Sequence, residues 1–390
     1  MLSGADRLPQ SDFWRCPGCG TENPEASMLR LCVGCGSRRP ALISAQDLSQ
    51  LPTNPASASA PRRSGSRVAW ASWWYVASLA VLVALLHGLS DRWWVGSLLL
   101  FGPRWIAGIP LLAVAPAALI WRRKSLPILL LASGLLVGPL MGFRLPWRPM
   151  FQRTSAEPTI RVLTCNTQMD LLDRDALAAL IERERPDVVL LQEWSGAEAT
   201  SIFRGAGWHI RIDDQLLLGS RFPIREATPF GPEELGGQAW LVRYELATPG
   251  GPIRVHNVHL ETAREGIEAV LSGGWSGRAA LQSNIDMRSD LSRAASRIVA
   301  AAPGRSLCAG DFNLPGESAI FRRSWSGYED SFAATGLGFG YTKHTRWFGA
   351  RIDHVLVSPG MRSRRSWVGP DIGSDHRPLF ADVTSGSAPE

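Results

Sequence analysis

Val68 to Leu89 carries no Lys, Arg, Asp or Glu. At about 1.5 Å per helical residue it is long enough to cross the roughly 30 Å hydrocarbon core of a bilayer. A helix apolar on every side must bury itself in lipid or in a large protein core. Two shorter apolar stretches follow, Trp105 to Trp121 and Leu126 to Phe143, separated by Arg122-Arg123-Lys124. Trp70, Trp73, Trp74, Trp93, Trp94, Trp105, Trp121 and Trp147 gather near the ends of these segments, where indole rings settle at a membrane–water boundary. Pro110, Pro116, Pro127 and Pro139 would weaken soluble helices but are tolerated in membrane ones. Three spans within residues 68–143 are expected, with two as the fallback and a buried helical domain as the alternative. Trp93 to Phe101 either extends the second span or lies in the interface.

The apolar region divides the charge of the chain. Residues 1–150 hold 15 Lys+Arg against 6 Asp+Glu, a net +9, and residues 151–390 hold 26 against 29, a net −3, which together give the +6 of the whole. The basic character therefore belongs to the N-terminal part. A C-terminal domain with Lys343 as its single lysine is a poor match for proteins that grip duplex backbone through a basic face.

Ahead of the spans, Cys16-Pro17-Gly18-Cys19 and Cys32-Val33-Gly34-Cys35 form two Cys-x-x-Cys knuckles. Cys16, Cys19, Cys32 and Cys35 can place four thiolates around Zn²⁺, with two disulfides as the alternative. With Trp14 and Asn23 they resemble the small zinc finger of Ran-binding-protein type, here at residues 11–41. The resemblance implies that Asn23 braces the knuckle and that the finger binds ubiquitin, single-stranded RNA or another protein; a purely structural cap is equally open. Residues 42–67, rich in Ser, Ala and Pro, read as a disordered linker. The first long apolar run starts behind the knuckles, so a cleaved signal peptide is not expected. Thiolate ligands favour a reducing compartment. Combined with three spans, this puts the N-terminus in the cytoplasm and the C-terminal domain outside it.

In the C-terminal part, several apolar runs end on polar residues. Ile160 to Asn166, Val188 to Glu193, Ile253 to His259 and Leu307 to Asn313 all have this form. Gly310 reads as a tight turn closing the last of these strands. Arg351-Ile352-Asp353-His354 places Asp353 at the start of a strand, and Ser374-Asp375-His376 precedes a final strand from Leu379 to Val383. Helical stretches such as Arg174 to Arg185 and Ser289 to Ala302 alternate with the strands, which argues for a layered α/β domain.

The ordered set Cys-Asn, Gln-Glu, Val-His-Leu, Gly-Asp-Phe-Asn, Arg-Ile-Asp-His and Ser-Asp-His resembles the endonuclease/exonuclease/phosphatase superfamily. It covers residues 158–385 and implies a four-layer α/β/β/α sandwich of the deoxyribonuclease-like type. The superfamily includes deoxyribonucleases, abasic-site endonucleases, neutral sphingomyelinases and inositol polyphosphate 5-phosphatases. The resemblance implies that Glu193, with Asn166 and Asp375, binds Mg²⁺ or Mn²⁺, which suits a carboxylate-rich site. Asp311 and His376 would orient or deprotonate water, with Asp353 holding the second imidazole nitrogen. Asn313 and His259 would donate to the phosphate oxygens.

His256 and His354 are expected to face away from the site, and Arg351 and Arg377 to tie loops together. Gly273 to Gly277, with Trp275, reads as a mobile loop that shapes substrate choice together with Tyr341 to Phe348. Cys165 and Cys308 read as small buried hydrophobes. The expected function is a membrane-anchored, metal-dependent phosphodiesterase, of nuclease type in the first reading and acting on phospholipid or inositol phosphate in the second. A membrane scaffold with an inactive domain and a partner-binding finger is the alternative of another class.

Overall fold

The computed structural model describes residues 13–16, 18–24, 31–37, 60–146, 159–196, 199–301 and 304–384, in two units, Met1–Pro61 and Arg62–Glu390. In the first, β1 (Phe13–Arg15) and β2 (Glu22–Pro24) pair antiparallel with Trp14 opposite Asn23. The hairpin sets Cys16 and Cys32 inward while Cys19 and Cys35 stay exposed. Of the linker expected at 42–67, residues 42–59 lie outside the described residues. From Ala60 the chain is already helical and continues so to Gly88.

Among the described residues, three helical segments are long and apolar enough to cross a membrane: Gly65–Gly88, Arg104–Trp121 and Arg123–Leu140. Leu79, Leu86, Ala118, Ala132 and Leu140 pack between them, while Trp70, Trp73, Leu112, Ile120 and Leu130 point outward. Outward apolar side chains of this size carry a large hydration cost in water and none in lipid. Trp94–Phe101 extends neither span. It is a separate short helix, ended at Gly102 because Pro103 disfavours helical backbone in the residue before it. Trp94 and Leu98 pack against the core beneath the long helix Arg278–Ala300.

The rest of the second unit is built on two six-stranded mixed sheets. One runs β15-β16-β3-β4-β6-β5, with β3 at Thr159–Asn166, β4 at Val188–Gln192, β5 at His209–Asp213, β6 at Leu216–Ser220, β15 at Arg362–Val368 and β16 at Leu379–Thr384. The other runs β11-β14-β10-β9-β8-β7, with β7 at Ile224–Phe230, β8 at Trp240–Thr248, β9 at Gly251–His259, β10 at Ser306–Asp311, β11 at Glu329–Asp330 and β14 at Asp353–Val357. A small ribbon of β12 (Lys343–His344) and β13 (Gly349–Ala350) stands beside them. Alternation along each strand sends one set of side chains inward and the next outward. Val162, Leu190, Val255, Leu307, Val355 and Ala381 meet between the sheets. Leu163, Cys165 and Leu191 face the helix Arg174–Glu184. Val258, Cys308 and Leu356 face the helices Arg278–Ala300 and Ala319–Trp325. The result is the four-layer α/β/β/α sandwich, and Cys165 and Cys308 are fully buried packing residues within it.

Gly310 is not a turn after the strand. It lies inside β10 with φ +147°, and a Cβ there would meet the Val258 carbonyl oxygen of β9 at 1.9 Å. Glycine is needed for the close approach of the two strands, not for a reversal. Gly274–Gly277 forms a short 3-10 turn between two helices, and the second of these starts at Arg278, well ahead of the Ser289 expected.

Candidate active site

Each sheet contains one parallel pair, β3 with β4 and β9 with β10, so each sheet brings two strand ends to one edge of the sandwich. Asn166 stands level with Gln192, and Glu193 is the next residue, in the left-handed region at φ +54°. His259 stands level with Asp311. Asp353 opens β14 directly opposite Asp311. Beneath this edge, Gln192 Nε2 donates to Asn257 Oδ1 at 2.7 Å, and Asn257 Nδ2 donates to the Leu191 and Leu217 carbonyls. That buried amide pair locks the sheets in register.

The expected site residues converge there. Asn166 Nδ2 donates to Glu193 Oε1 at 2.8 Å and to Asp311 Oδ2 at 3.1 Å, so two carboxylates from different sheets share one amide. His259 Nε2 lies 3.6 Å from Glu193 Oε1 and 4.0 Å from Asp311 Oδ2, its Nδ1 held by Gln215 at 3.0 Å. His376 Nδ1 pairs with Asp353 Oδ2 at 2.8 Å, which leaves Nε2 3.6 Å from Asp311 Oδ2. Burial works to push the His376 pKa down, but Asp353 and Asp311 outweigh it and lift it to about 9. Burial, and then the Asp353 charge, push the Asp311 carboxyl up. Burial opposes the charge on Asp353 as well, but His376 holds its carboxyl below the usual range.

Asn313 and Asp375 have further polar partners of their own. Asn313 Nδ2 donates to the Leu260 carbonyl at 2.8 Å, and the Asn313 N–H bonds Asp311 Oδ1. Its amide is therefore already engaged in shaping the loop after β10. Asp375 is ion-paired with Lys343, and its N–H donates to Gln168 Oε1. Its Oδ1 lies 3.9 Å from His376 Nε2. Gln168, Gln215 and Asn257 were not singled out by the sequence, whereas Gln192 belongs to the Gln-Glu motif and Lys343 to the stretch Tyr341 to Phe348. Lys343 also stood out as the single lysine of its domain. His354 and Arg351 bond Asp330 at 3.1 and 2.6 Å, and the His256 imidazole reaches the Leu307 carbonyl. His256 and His354 face away from the site, and Arg351 joins its own strand start to Asp330.

The donor set fits a hard divalent cation. Glu193 and Asp311 crowd two carboxylates onto one neutral amide, an arrangement that calls for positive charge between them. Oxygen donors from carboxylate and carboxamide are those Mg²⁺ and Mn²⁺ take. Asp311, Asp353 and His376 also offer ligand atoms within 4.8 Å of one another. In the N-terminal unit, Cys16, Cys19, Cys32 and Cys35 converge in the same way. Cys16 Sγ lies 3.7 Å from Cys35 Sγ, and Cys19 Sγ 3.6 Å from Cys32 Sγ. Tetrahedral Zn²⁺ with bonds of about 2.3 Å requires sulfur separations of about 3.8 Å. Burial raises the Cys32 thiol, yet N–H donors from Cys35, Gly34 and Asn23 bring it down to about 6, which favours the ligating thiolate. Asn23 also accepts the Val33 N–H at 2.9 Å and so ties the two knuckles together.

A model of the Endonuclease/Exonuclease/phosphatase family matches residues 163–376. No curated protein matches. Among solved structures, an endonuclease/exonuclease/phosphatase from Beutenbergia cavernae DSM 12333 is 19% identical over 59% of this chain and 72% of its own, with a TM-score of 0.44. The endonuclease/exonuclease/phosphatase from Bacteroides vulgatus is 15% identical, covering 58% of this chain and 99% of its own, with a TM-score of 0.45. D. rerio TDP2 complexed with single strand DNA product is 16% identical over 58% and 100%, with a TM-score of 0.43.

Proposed function

The chain belongs to the Endonuclease/Exonuclease/phosphatase family, and on that premise we propose that it is a membrane-anchored, divalent-metal-dependent phosphoesterase that hydrolyses phosphodiester bonds with an activated water. The observation that supports this best is the meeting of Asp311, Asp353 and His376 within 4.8 Å, beside the amide-linked carboxylates of Glu193 and Asp311. Glu193 and Asn166 would hold the ion, with Asp375 supporting from the Lys343 side. When bound, Mg²⁺ or Mn²⁺ neutralises the phosphate and polarises its P–O bonds.

The chain's own residues supply the rest. Asp311 accepts the proton of a water aimed at phosphorus. Asp353 fixes the His376 ring and keeps it charged, so that Nε2 donates to an oxygen where transition-state charge gathers. His259, oriented by Gln215, donates from the opposite sheet. The new P–O bond forms from water, the ester P–O bond breaks, and the departing alkoxide takes a proton from solvent. The scaffold reading has less support, since each of Glu193, Asp311 and His376 keeps a partner suited to chemistry.

The membrane reading rests on the three apolar helices. Asp91, Arg104 and Arg144 all contact the sandwich domain, whereas Gly65 lies beside Trp121 and Arg122 at the far end. With Arg122, Arg123 and Lys124 marking the cytoplasmic side, the sandwich lies outside the cytoplasm. The test of function is hydrolysis of bis(4-nitrophenyl) phosphate by the full chain in ¹⁸O-labelled water with Mg²⁺. The reading requires ¹⁸O in the phosphate product. Release of nitrophenol without label would sink it.

A further inference from the structure

The site opens into a pocket of ≈ 450 Å³ whose lining includes the apolar side chains Phe101, Ile267, Leu271 and Phe348 together with polar ones such as Glu268 and Lys343. Phe101 does not come from the sandwich. It ends the short helix Trp94–Phe101, in the segment that joins the first two candidate spans. Its ring lies 5.0 Å from the Arg288 guanidinium, and Arg288 Nη2 donates to the Asn313 carbonyl at 2.7 Å. A residue of the membrane region is thus part of the pocket and tied to the loop after β10.

Exposed apolar side chains close in the chain to the lining residues Leu271 and Phe348 carry the same connection. Leu271, Trp275 and Trp347 are 77, 69 and 67% exposed. Trp275 stacks edge-on against Trp94 at 5.5 Å, and Trp105, at the start of the second candidate span, donates its indole N–H to the Trp347 carbonyl at 3.0 Å. The docking is firm. Asp91 accepts the Ala319 and Ile320 N–H groups at 2.7 and 3.3 Å, and buried Glu317 pairs with Arg104 at 3.4 Å. The sandwich therefore cannot turn its pocket away from the ends of the spans without breaking buried polar bonds.

We propose that the substrate is an amphiphilic phosphodiester of the bilayer, its phosphate at Glu193, Asp311, His259 and His376 and its apolar portion against Phe101, Leu271 and Trp275. The occupant follows from position. An apolar lining side chain supplied by a membrane segment, with exposed tryptophans at the level of the span ends, suits a molecule that is itself anchored there. A soluble polyanion would find a domain of net charge −3 and the exposed apolar side chains of Leu271, Trp275 and Trp347. This inference rests on the phosphoesterase reading and names its substrate class.

The test uses the full chain in detergent with Mg²⁺, supplied with mixed micelles of a phosphatidylcholine and phosphatidylglycerol blend, with single-stranded DNA, or with bis(4-nitrophenyl) phosphate. The expected result is release of water-soluble phosphorylated headgroup or of phosphatidate. Phe101→Asp, and independently the exposed Trp275→Ser, should each lower the lipid-to-nitrophenyl ratio of kcat/KM by about tenfold or more, with the folded state checked by thermal melting. Turnover of the nitrophenyl ester or DNA with no lipid turnover overturns the inference alone, as does an unchanged ratio in both variants. No turnover of any ester overturns the phosphoesterase reading and the inference with it.

Discussion

His376 Nδ1 and Asp353 Oδ2 lie 2.8 Å apart, both residues almost wholly buried, at the edge where the two sheets meet. An imidazole held this way keeps one nitrogen for structure and offers the other to the site. His376→Ala should lower kcat by about 10²- to 10⁴-fold. Asp353→Asn should also lower kcat and should shift the pH optimum, because the asparagine no longer favours the charged ring. Steady-state kinetics across pH check both. A His376→Ala enzyme with native kcat would remove His376 from the mechanism.

The segment between the first two candidate spans is held by Asp91, which accepts from Ser318 Oγ as well as from Ala319 and Ile320 N–H. Asp91→Ala strands these buried donors and should destabilise the chain by about 2–4 kcal/mol. It should also expose the Trp94–Phe101 helix to protease. Thermal unfolding and limited proteolysis of the detergent-solubilised chain measure this.

Glu317 gives the pH dependence. Burial raises its carboxyl, but Arg104, Arg351 and Arg144 together hold it below the ordinary glutamate range. A depressed carboxyl adds stability that is present above its unfolded pKa and is lost as pH falls through the folded one. Melting temperature should therefore drop below about pH 4.5, and Glu317→Gln should be less stable at pH 7 with a flatter acid limb. Equal acid slopes for the two proteins would assign the acid lability to other carboxylates, such as Asp330.

The N-terminal knuckles predict one zinc per chain, bound by Cys16, Cys19, Cys32 and Cys35. Elemental analysis of protein purified under reducing conditions should give one equivalent, and Cys16→Ser with Cys32→Ser should give none. Two disulfides and no zinc would contradict this. The catalytic metal is separable, because an oxygen-donor site releases Mg²⁺ to a weak chelator while four thiolates retain zinc.

Much of the site was legible because its residues sit at strand ends, where an apolar run stopping at a polar residue is visible in one dimension. Asn166, Glu193, His259 and Asp311 announced themselves in this way, and Asp353 and His376 by standing at or just before the start of a strand. Gly310 was visible but misread, since a glycine needed for close strand packing against Val258 looks in sequence like one needed for a turn. Asn257 and Gln215 were silent. A buried amide that links two sheets carries no periodic or charge signature, and its partner lies tens of residues away. Asp91 was hidden for the same reason, as its partners near Ser318 are distant in the chain. Phe101 looked like part of a span because hydropathy reports only that a residue avoids water, not what it avoids water against.

The most direct test of the account is a Mg²⁺ titration of phosphodiester hydrolysis by the full-length protein, alongside Glu193→Gln and Asp311→Asn. The account predicts saturable Mg²⁺-dependent turnover, abolished by chelator and lowered at least about 10²-fold in each variant. Turnover that persists in chelator, or that survives both substitutions, would contradict it.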